Sequence, residues 1–287
     1  HHHRATINVS TLNYTVSNLR RLSESFDEVY MIMGNHDLYY REKREIHSIP
    51  MADEYENIHV VTDDILVKDD VAIVPWLVDD EWKKLKHVNC RYMFGHFELP
   101  SFYMNAMVQM PDLGHGLKAD DLRKPEFVFS GHFHKRQQDG NVIYTGNAFP
   151  HNYSDAWDDE RGLMFLEWGG QPEFVQWPDA PKYRTIPLSK LIDNPEKILS
   201  KKTNCRVTLD VDITYEEANY IKETFAQQYD LREIALMPAK KEEHATDWNT
   251  NNDIQVENVD QIVLNQLQAI DSPTIKNSQL IEIYNSL

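Results

Sequence analysis

Three short apolar segments of the chain each end in a glycine that is followed at once by an amide or imidazole side chain. The resulting motifs are Gly34-Asn35-His36-Asp37, Gly95-His96 and Gly131-His132-Phe133-His134. Apolar runs of this length are typical of buried strands. In layered α/β folds, functional loops follow the carboxyl ends of strands, so segments far apart in sequence can deliver polar side chains to one place.

The rest of the first two thirds of the chain also predicts a helix and further strands. Apolar residues recur at helical spacing over residues 9–26, and further short apolar runs occupy residues 71–76, 142–144 and 162–168. We therefore expect an α/β fold over residues 1–178.

The last third predicts three smaller parts. Residues 179–239 combine an alternating strand, a helix that begins at the capping box Thr214–Glu217 and a second strand, which indicates a small β-α-β cap. Residues 240–255 have the polar composition of a linker. Two amphipathic segments in residues 256–287 predict a helical hairpin, which either packs on the chain's own core or, as we favour, docks on a partner.

Composition restricts the function classes. The formal net charge of −17 argues against a free-standing nucleic-acid binder, since phosphates are bound mainly by Lys and Arg. The sequence has neither a membrane-spanning apolar run nor a secretory signal pattern. We expect Cys90 and Cys205 to be reduced, in a cytoplasmic protein.

The polar motifs suit phosphodiester hydrolysis assisted by metal ions. Two divalent ions about 3.5–4 Å apart can neutralise a phosphate and activate a water molecule. Imidazole nitrogens and amide oxygens are suitable ligands for Mn²⁺, Fe or Zn²⁺. A histidine beside such ions is also a natural proton donor near neutral pH.

These motifs resemble the signatures of the calcineurin-like metallophosphoesterases, G-N-H-[DE] and G-H-x-H, over about residues 31–168. In closer detail the chain looks like the SbcD-type repair nucleases, especially the nuclease subunits of phage recombination complexes. Residues 95–98, 144–147 and 154–162 carry that likeness. The resemblance implies a β-sandwich flanked by helices, with the cap contacting DNA.

The resemblance also implies roles for particular residues. Asn35, His96 and His132 would hold one metal ion and His134 the other, with Mn²⁺ as the expected ion. His36 would face the scissile phosphate, and Asp37 would orient His36. The implied partners are DNA, an SbcC-like ATPase bound through residues 256–287, and a second copy of the chain in a homodimer.

Two earlier motifs of that superfamily, D-x-H and G-D-x-x-D, are absent from the printed sequence. The opening His1-His2-His3-Arg4 resembles the continuation of the second motif, although a purification tag explains His1–His3 equally well. If the first reading holds, the chain begins just after the bridging Asp. We then expect the chain alone to be an inactive nuclease.

Two rival functions remain open at this point. One is a phosphatase or cyclic-nucleotide phosphodiesterase of the same superfamily, and the other is a non-catalytic adaptor with the same fold. Some individual residues favour plainer interpretations. We expect the acidic run 155–160 to be a solvated loop and His151 to be structural. We expect Tyr39 and Tyr40 to pack at the start of a helix, with a DNA contact as the alternative.

Overall fold

In residues 6–176 one long helix is followed by a series of strands, and short 3-10 helices lie among these at Pro50–Glu54, Asp79–His87, Ala119–Leu122 and Tyr153–Asp155. The computed structural model describes residues 6–40 and 42–238, together with Leu267, Asn277 and Ile281. The helices are α1 (Val9–Ser25), α2 (Leu188–Asp193), α3 (Pro195–Ile198) and α4 (Tyr215–Gln228). The strands are β1 (Val29–Ile32), β2 (Leu38–Tyr40), β3 (Lys43–His47), β4 (Ile58–Val61), β5 (Leu66–Lys68), β6 (Val71–Ile73), β7 (Tyr92–Gly95), β8 (Phe127–Ser130), β9 (Gln137–Asp139), β10 (Val142–Tyr144), β11 (Gly162–Phe165), β12 (Glu173–Gln176), β13 (Lys182–Pro187), β14 (Thr203–Leu209) and β15 (Glu233–Pro238). The α/β fold class is therefore confirmed.

A six-stranded sheet with the order β5-β6-β7-β8-β10-β9 forms the centre of the fold. Strands β6, β7, β8 and β10 run parallel, and β5 and β9 are antiparallel edges. Gly95 at the end of β7 lies opposite Ser130 at the end of β8. The loops that carry His96 and His132 therefore leave the sheet side by side.

Strand β1 pairs in parallel with β4 in a separate two-stranded sheet. A cluster of buried side chains joins the end of β1 to the loop after β6, and its members are Met33, Leu38, Ile49 and Trp76. This packing brings the Gly34–Asp37 turn towards the loops of the central sheet. Burial of such side chains contributes about 1.5–3 kcal/mol each, which holds the turn in place.

The residues after the turn form an antiparallel hairpin, β2–β3, rather than a helix. The expectation that Tyr39 and Tyr40 pack at a helix start was therefore wrong. Both residues lie in a strand and both are exposed. Pairing with residues of β3 that come later in the chain selected the extended conformation.

Strands β13, β14 and β15 form a parallel three-stranded sheet, with α2 and α3 before β14 and α4 before β15. The sheet has its own apolar core, in which Leu191, Cys205 and Val207 are fully buried. Thr214 and Glu217 form the predicted capping box at the start of α4. The structure thus adds one strand, β13, to the expected β-α-β arrangement.

The chain divides into two units, His1–Ala239 and Lys240–Leu287. Leu267, Asn277 and Ile281 are helical, while the remaining residues of the linker and helical hairpin that the sequence predicts lie outside the described residues. His1–His3 also lie outside them. Within the described part of the chain, no helix is long and apolar enough to span a bilayer. Cys90 and Cys205 are both free thiols, as expected.

Candidate metal centre

The turn after β1 places Asn35 and His36 at the edge of the candidate site. The Asp37 carboxylate closes this turn, because it accepts a hydrogen bond from the backbone N–H of Gly34 at 3.1 Å. It also accepts from the Ser48 hydroxyl at 3.4 Å. Asp37 therefore fixes the backbone on which Asn35 and His36 stand.

The loop after β7 holds His96 through contacts with its neighbouring strands. The Ser130 hydroxyl accepts from the backbone N–H of Phe97 at 2.9 Å. The buried Tyr144 hydroxyl donates to the Phe97 carbonyl at 2.9 Å and accepts from the Leu99 N–H at 3.2 Å. These bonds satisfy backbone groups that would otherwise be buried without partners, so the loop has little freedom to move.

Two glycines leave room for the His96 ring. A methyl group added at Gly34 would lie 2.7 Å from Cε1 of His96, and one added at Gly131 would lie 2.9 Å from its Nδ1. Both distances are shorter than normal van der Waals contact. The glycines of two separate motifs are thus required for the imidazole to sit between them.

His132 is presented by an unusual backbone conformation. Its φ angle is +85°, in a region that non-glycine residues rarely adopt. The next residue, Phe133, is buried and stacks on Tyr144 with a centroid distance of 4.7 Å. Anchoring of Phe133 in the core holds the strained residue, and strain of this kind often marks a functional site.

Three possible metal ligands converge at this point. His96 Nε2 lies 3.2 Å from Asn35 Oδ1 and 3.2 Å from His132 Nδ1. Donors that bind one ion at about 2.0–2.2 Å are themselves separated by roughly 3.0–3.5 Å, so these distances fit a shared ion. In a hydrogen-bonded arrangement, Asn35 Oδ1 can only accept, whereas the two ring nitrogens donate or accept according to their tautomers. A cation instead takes one lone pair from each atom.

The protonation state of His96 also fits a ligand. Burial, followed by the nearby His132 and His36, lowers the pKa of His96 to about 3. The imidazole is therefore neutral near pH 7 and has a lone pair to offer. His36, which stands on the same turn as Asn35, is exposed.

Trp76 and Glu98 border the three ligands. The Trp76 ring lies edge-on to His96 at 5.7 Å and tilted against His132 at 5.4 Å. Glu98 Oε2 lies 3.8 Å from His132 Nε2. The apolar Trp76 face limits water access on one side and adds to the burial of His96.

His134 has a separate set of partners. Its Nδ1 lies 3.2 Å from Oδ1 of Asp155, whose side chain is fully buried. If Nδ1–H donates this bond, Nε2 keeps its lone pair for an ion, as is common for metal-binding histidines. The side chain of Arg161, also fully buried, donates to the His134 carbonyl oxygen and lies 3.4 Å from Asp155.

The burial of Asp155 contradicts one of the sequence-based expectations. The run 155–160 was predicted to be a solvated loop, but Asp155 and the adjoining Arg161 are buried charges. Burial alone would raise the pKa of Asp155, but hydrogen bonds from His134 and the His151 N–H bring it below its usual value. His151 contributes this backbone donor, and its ring lies 5.6 Å from that of His134.

The structure thus brings Asn35, His96 and His132 together, places His36 beside them and gives His134 a buried carboxylate partner. In residues 6–40 and 42–238, no three His, Cys, Asp or Glu side chains form a metal-binding group. The proposed set instead combines two imidazoles with an amide. Sequence reasoning missed Trp76, Asp155 and Arg161. The one available signal was the position of Arg161, between an acidic run and an apolar strand.

Comparison with known proteins supplies one informative similarity. No family model matches the chain. The chain is 24% identical over 296 residues to the protein named exonuclease subunit 1 of Enterobacteria phage T4. The match covers 99% of this chain and 83% of the phage protein.

Proposed function

We propose that the protein is the nuclease subunit of a DNA recombination or repair complex and hydrolyses phosphodiester bonds with the help of divalent metal ions. The convergence of Asn35, His96 and His132 at three loops carries the proposal. The similarity to a phage exonuclease subunit over nearly the whole chain supports it.

Asn35, His96 and His132 would hold one ion through an amide oxygen and two imidazole nitrogens. His134, oriented by Asp155, is the candidate ligand for a second ion. Mn²⁺ suits this mixture of nitrogen and oxygen donors. When bound, such ions neutralise the phosphate and lower the pKa of a water molecule.

His36 is the candidate proton donor. It is exposed, so a phosphodiester can reach it, and it stands on a turn that Asp37 closes onto Gly34. A positioned imidazole that moves a proton contributes about 10²–10⁴-fold to a rate. Asp37 acts here by holding the turn.

The proposed partners and location follow from the resemblance to the SbcD-type nucleases. Residues 256–287 are the proposed docking segment for an SbcC-like ATPase, since short amphipathic helices require a surface that buries their apolar side. A homodimer and a location in the host cytoplasm are part of the same proposal. DNA is the proposed substrate, bound in part through the β13–β15 sheet with its helices.

A hydrolysis panel tests the function. The chain, in excess over substrate, is incubated in the presence of Mn²⁺ with one substrate at a time. The three substrates are duplex DNA, a nitrophenyl phosphodiester and a nitrophenyl monoester. We expect Mn²⁺-dependent cleavage of DNA and of the diester, lost in His36→Ala. A preference for the monoester would indicate a phosphatase. Absence of hydrolysis together with absence of Mn²⁺ binding would favour an adaptor.

A further inference from the structure

Two neighbouring tyrosines stand exposed just beyond the turn that carries Asn35 and His36. The side chains of Tyr39 and Tyr40 are 46% and 47% exposed. Their rings meet edge to face, with centroids 4.7 Å apart and planes 85° from parallel. The hairpin thus presents a pair of aromatic rings to solvent beside the candidate metal centre.

Both rings are exposed although Tyr39 and Tyr40 are consecutive residues of one strand. In a regular strand, side chains alternate between faces, so Tyr40 would share the inner face with the fully buried Leu38. The β2–β3 register shifts between Leu38 and Tyr40, with the additional residues in β3. The hairpin thus departs from regular pairing beside the two tyrosines, and irregularities of this kind are frequent next to functional sites.

The hairpin is anchored to the metal centre by Arg44 in β3. The Arg44 guanidinium donates to the Trp76 carbonyl at 2.7 Å and to both carboxylate oxygens of Glu81 at 2.6 and 3.0 Å. Trp76 in turn lies against His96 and His132. Tyr39 follows His36 by three residues, which limits the distance between their Cα atoms to about 11 Å.

Electrostatic attraction does not identify a ligand for the exposed face of the hairpin. In the hairpin sequence the charges of Arg41 and Lys43 balance those of Glu42 and Glu45, and Arg44 is paired with Glu81. The whole chain has 29 basic and 46 acidic residues. Phosphate attraction by this hairpin is therefore weak. Stacking between a base and an aromatic ring requires no positive field, because every base has a π-face.

We propose that Tyr39 and Tyr40 form a stacking platform for unpaired bases of a DNA strand that enters the candidate metal centre. This inference rests on the proposed nuclease function and adds a substrate preference to it. Bases inside a continuous duplex are stacked on one another and unavailable to the rings. The platform therefore favours single-stranded ends and frayed termini.

The test measures the affinity for a short single-stranded oligonucleotide by fluorescence anisotropy, in EDTA so that no strand is cut. Tyr39→Ala and Tyr40→Ala should each weaken binding roughly 5- to 150-fold, the effect typical of losing one base–aromatic stack. The double Tyr39→Phe, Tyr40→Phe variant keeps both rings and should bind within about threefold of the unaltered chain. Tyr14→Ala is the matched control, since Tyr14 is 70% exposed on α1.

A second oligonucleotide identifies the contact as stacking. A strand of equal length that lacks its bases should bind the unaltered chain weakly. Its affinity should match that of the intact strand for the double Tyr39→Ala, Tyr40→Ala variant. Unchanged affinity in that variant, or equal binding of both strands by the unaltered chain, would overturn the platform. Mn²⁺ binding and Mn²⁺-dependent DNA cleavage by the unaltered chain are measured in parallel. Absence of both would count against the nuclease function, whereas either one with unchanged oligonucleotide affinities would overturn the platform alone.

Discussion

Two glycines determine where the His96 imidazole can lie, because neither position has room for a methyl group. Gly34 and Gly131 come from different motifs and close on the same ring from two directions. The ring is held by shape as well as by hydrogen bonds. Such pre-positioning lets a ligand bind an ion without first losing conformational freedom.

Gly34→Ala is expected to displace His96 and to lower the affinity for Mn²⁺ by at least about tenfold, as loss of ligand support typically does. Isothermal titration calorimetry measures the affinity, and circular dichroism checks that the fold is retained. Gly170→Ala is the control, since the added methyl group would lie 3.3 Å from its nearest neighbour, the Glu167 carbonyl, away from the candidate site. Equal losses in both variants would show that the cradle around His96 has no special role.

The buried pair of Asp155 and Arg161 gives a second prediction at this scale. Removing one partner of a buried ion pair leaves the other charge uncompensated, at a typical cost of about 3–5 kcal/mol. Asp155→Asn should lower the free energy of unfolding by about 3 kcal/mol, since Arg161 still has Asp158 as a partner. Urea denaturation of the variant and of the unaltered chain measures this difference in the free energy of unfolding.

Glu160→Gln is the matched control for Asp155→Asn. The Glu160 side chain is 72% exposed in its pair with Arg136, so the change should be below about 1 kcal/mol. An Asp155→Asn variant as stable as this control would contradict the structural role of the buried charge.

Residue patterns predicted the three loops that meet at the candidate site because the signal there is local. An apolar run, a glycine and a histidine follow one another within a few positions at His96 and His132. The burial of Asp155 depends on Arg161 and on His134, which is 21 positions earlier in the chain. No pattern within the acidic run itself distinguishes Asp155 from its exposed neighbour Glu160.

At the scale of elements, parallel pairing of β7 and β8 is what brings His96 beside His132, and packing of the end of β1 against Trp76 in the loop after β6 adds Asn35. These strands were predictable from their apolar runs. The β2–β3 hairpin was not, because its extended form depends on pairing with β3 and on the Arg44 anchor. Strand β13 was also missed, since its alternation includes the buried Arg184, a residue type that is usually exposed.

The hairpin anchor predicts a pH dependence. Its hydrogen bonds and ion pair with Arg44 lower the pKa of Glu81 from 4.5 to about 2. A depressed carboxyl pKa contributes stability that is complete above the unfolded-state value and is lost as the pH falls through the folded-state value. The stability difference between the unaltered chain and Glu81→Gln should therefore be largest above about pH 5 and narrow towards about pH 2.

Urea denaturation at several pH values measures this difference. Asp80→Asn is the control, because Asp80 is 76% exposed in its pair with Lys83 and should show little pH dependence of this kind. A stability difference that stays constant from neutral to acid pH would contradict the anchor.

At the scale of the whole molecule, the division at Ala239 and Lys240 separates the candidate metal centre from the proposed docking segment. A chain that ends at Ala239 should therefore keep the thermal transition of the first unit and its affinity for Mn²⁺. It should also fail to co-purify with an ATPase partner. A large fall in the melting temperature, measured by calorimetry, would show that residues 240–287 are part of the same cooperative fold.

The central claim is that Asn35, His96 and His132 share a divalent metal ion, and Co²⁺ titration tests it most directly. Visible absorption reports the ligand field of bound Co²⁺, whether or not the chain cleaves DNA. The account predicts one tightly held ion, with affinity lost by at least about tenfold in His132→Ala and unchanged in His115→Ala, a loop histidine outside the site. The same affinity and spectrum in His132→Ala as in the unaltered chain would contradict the account.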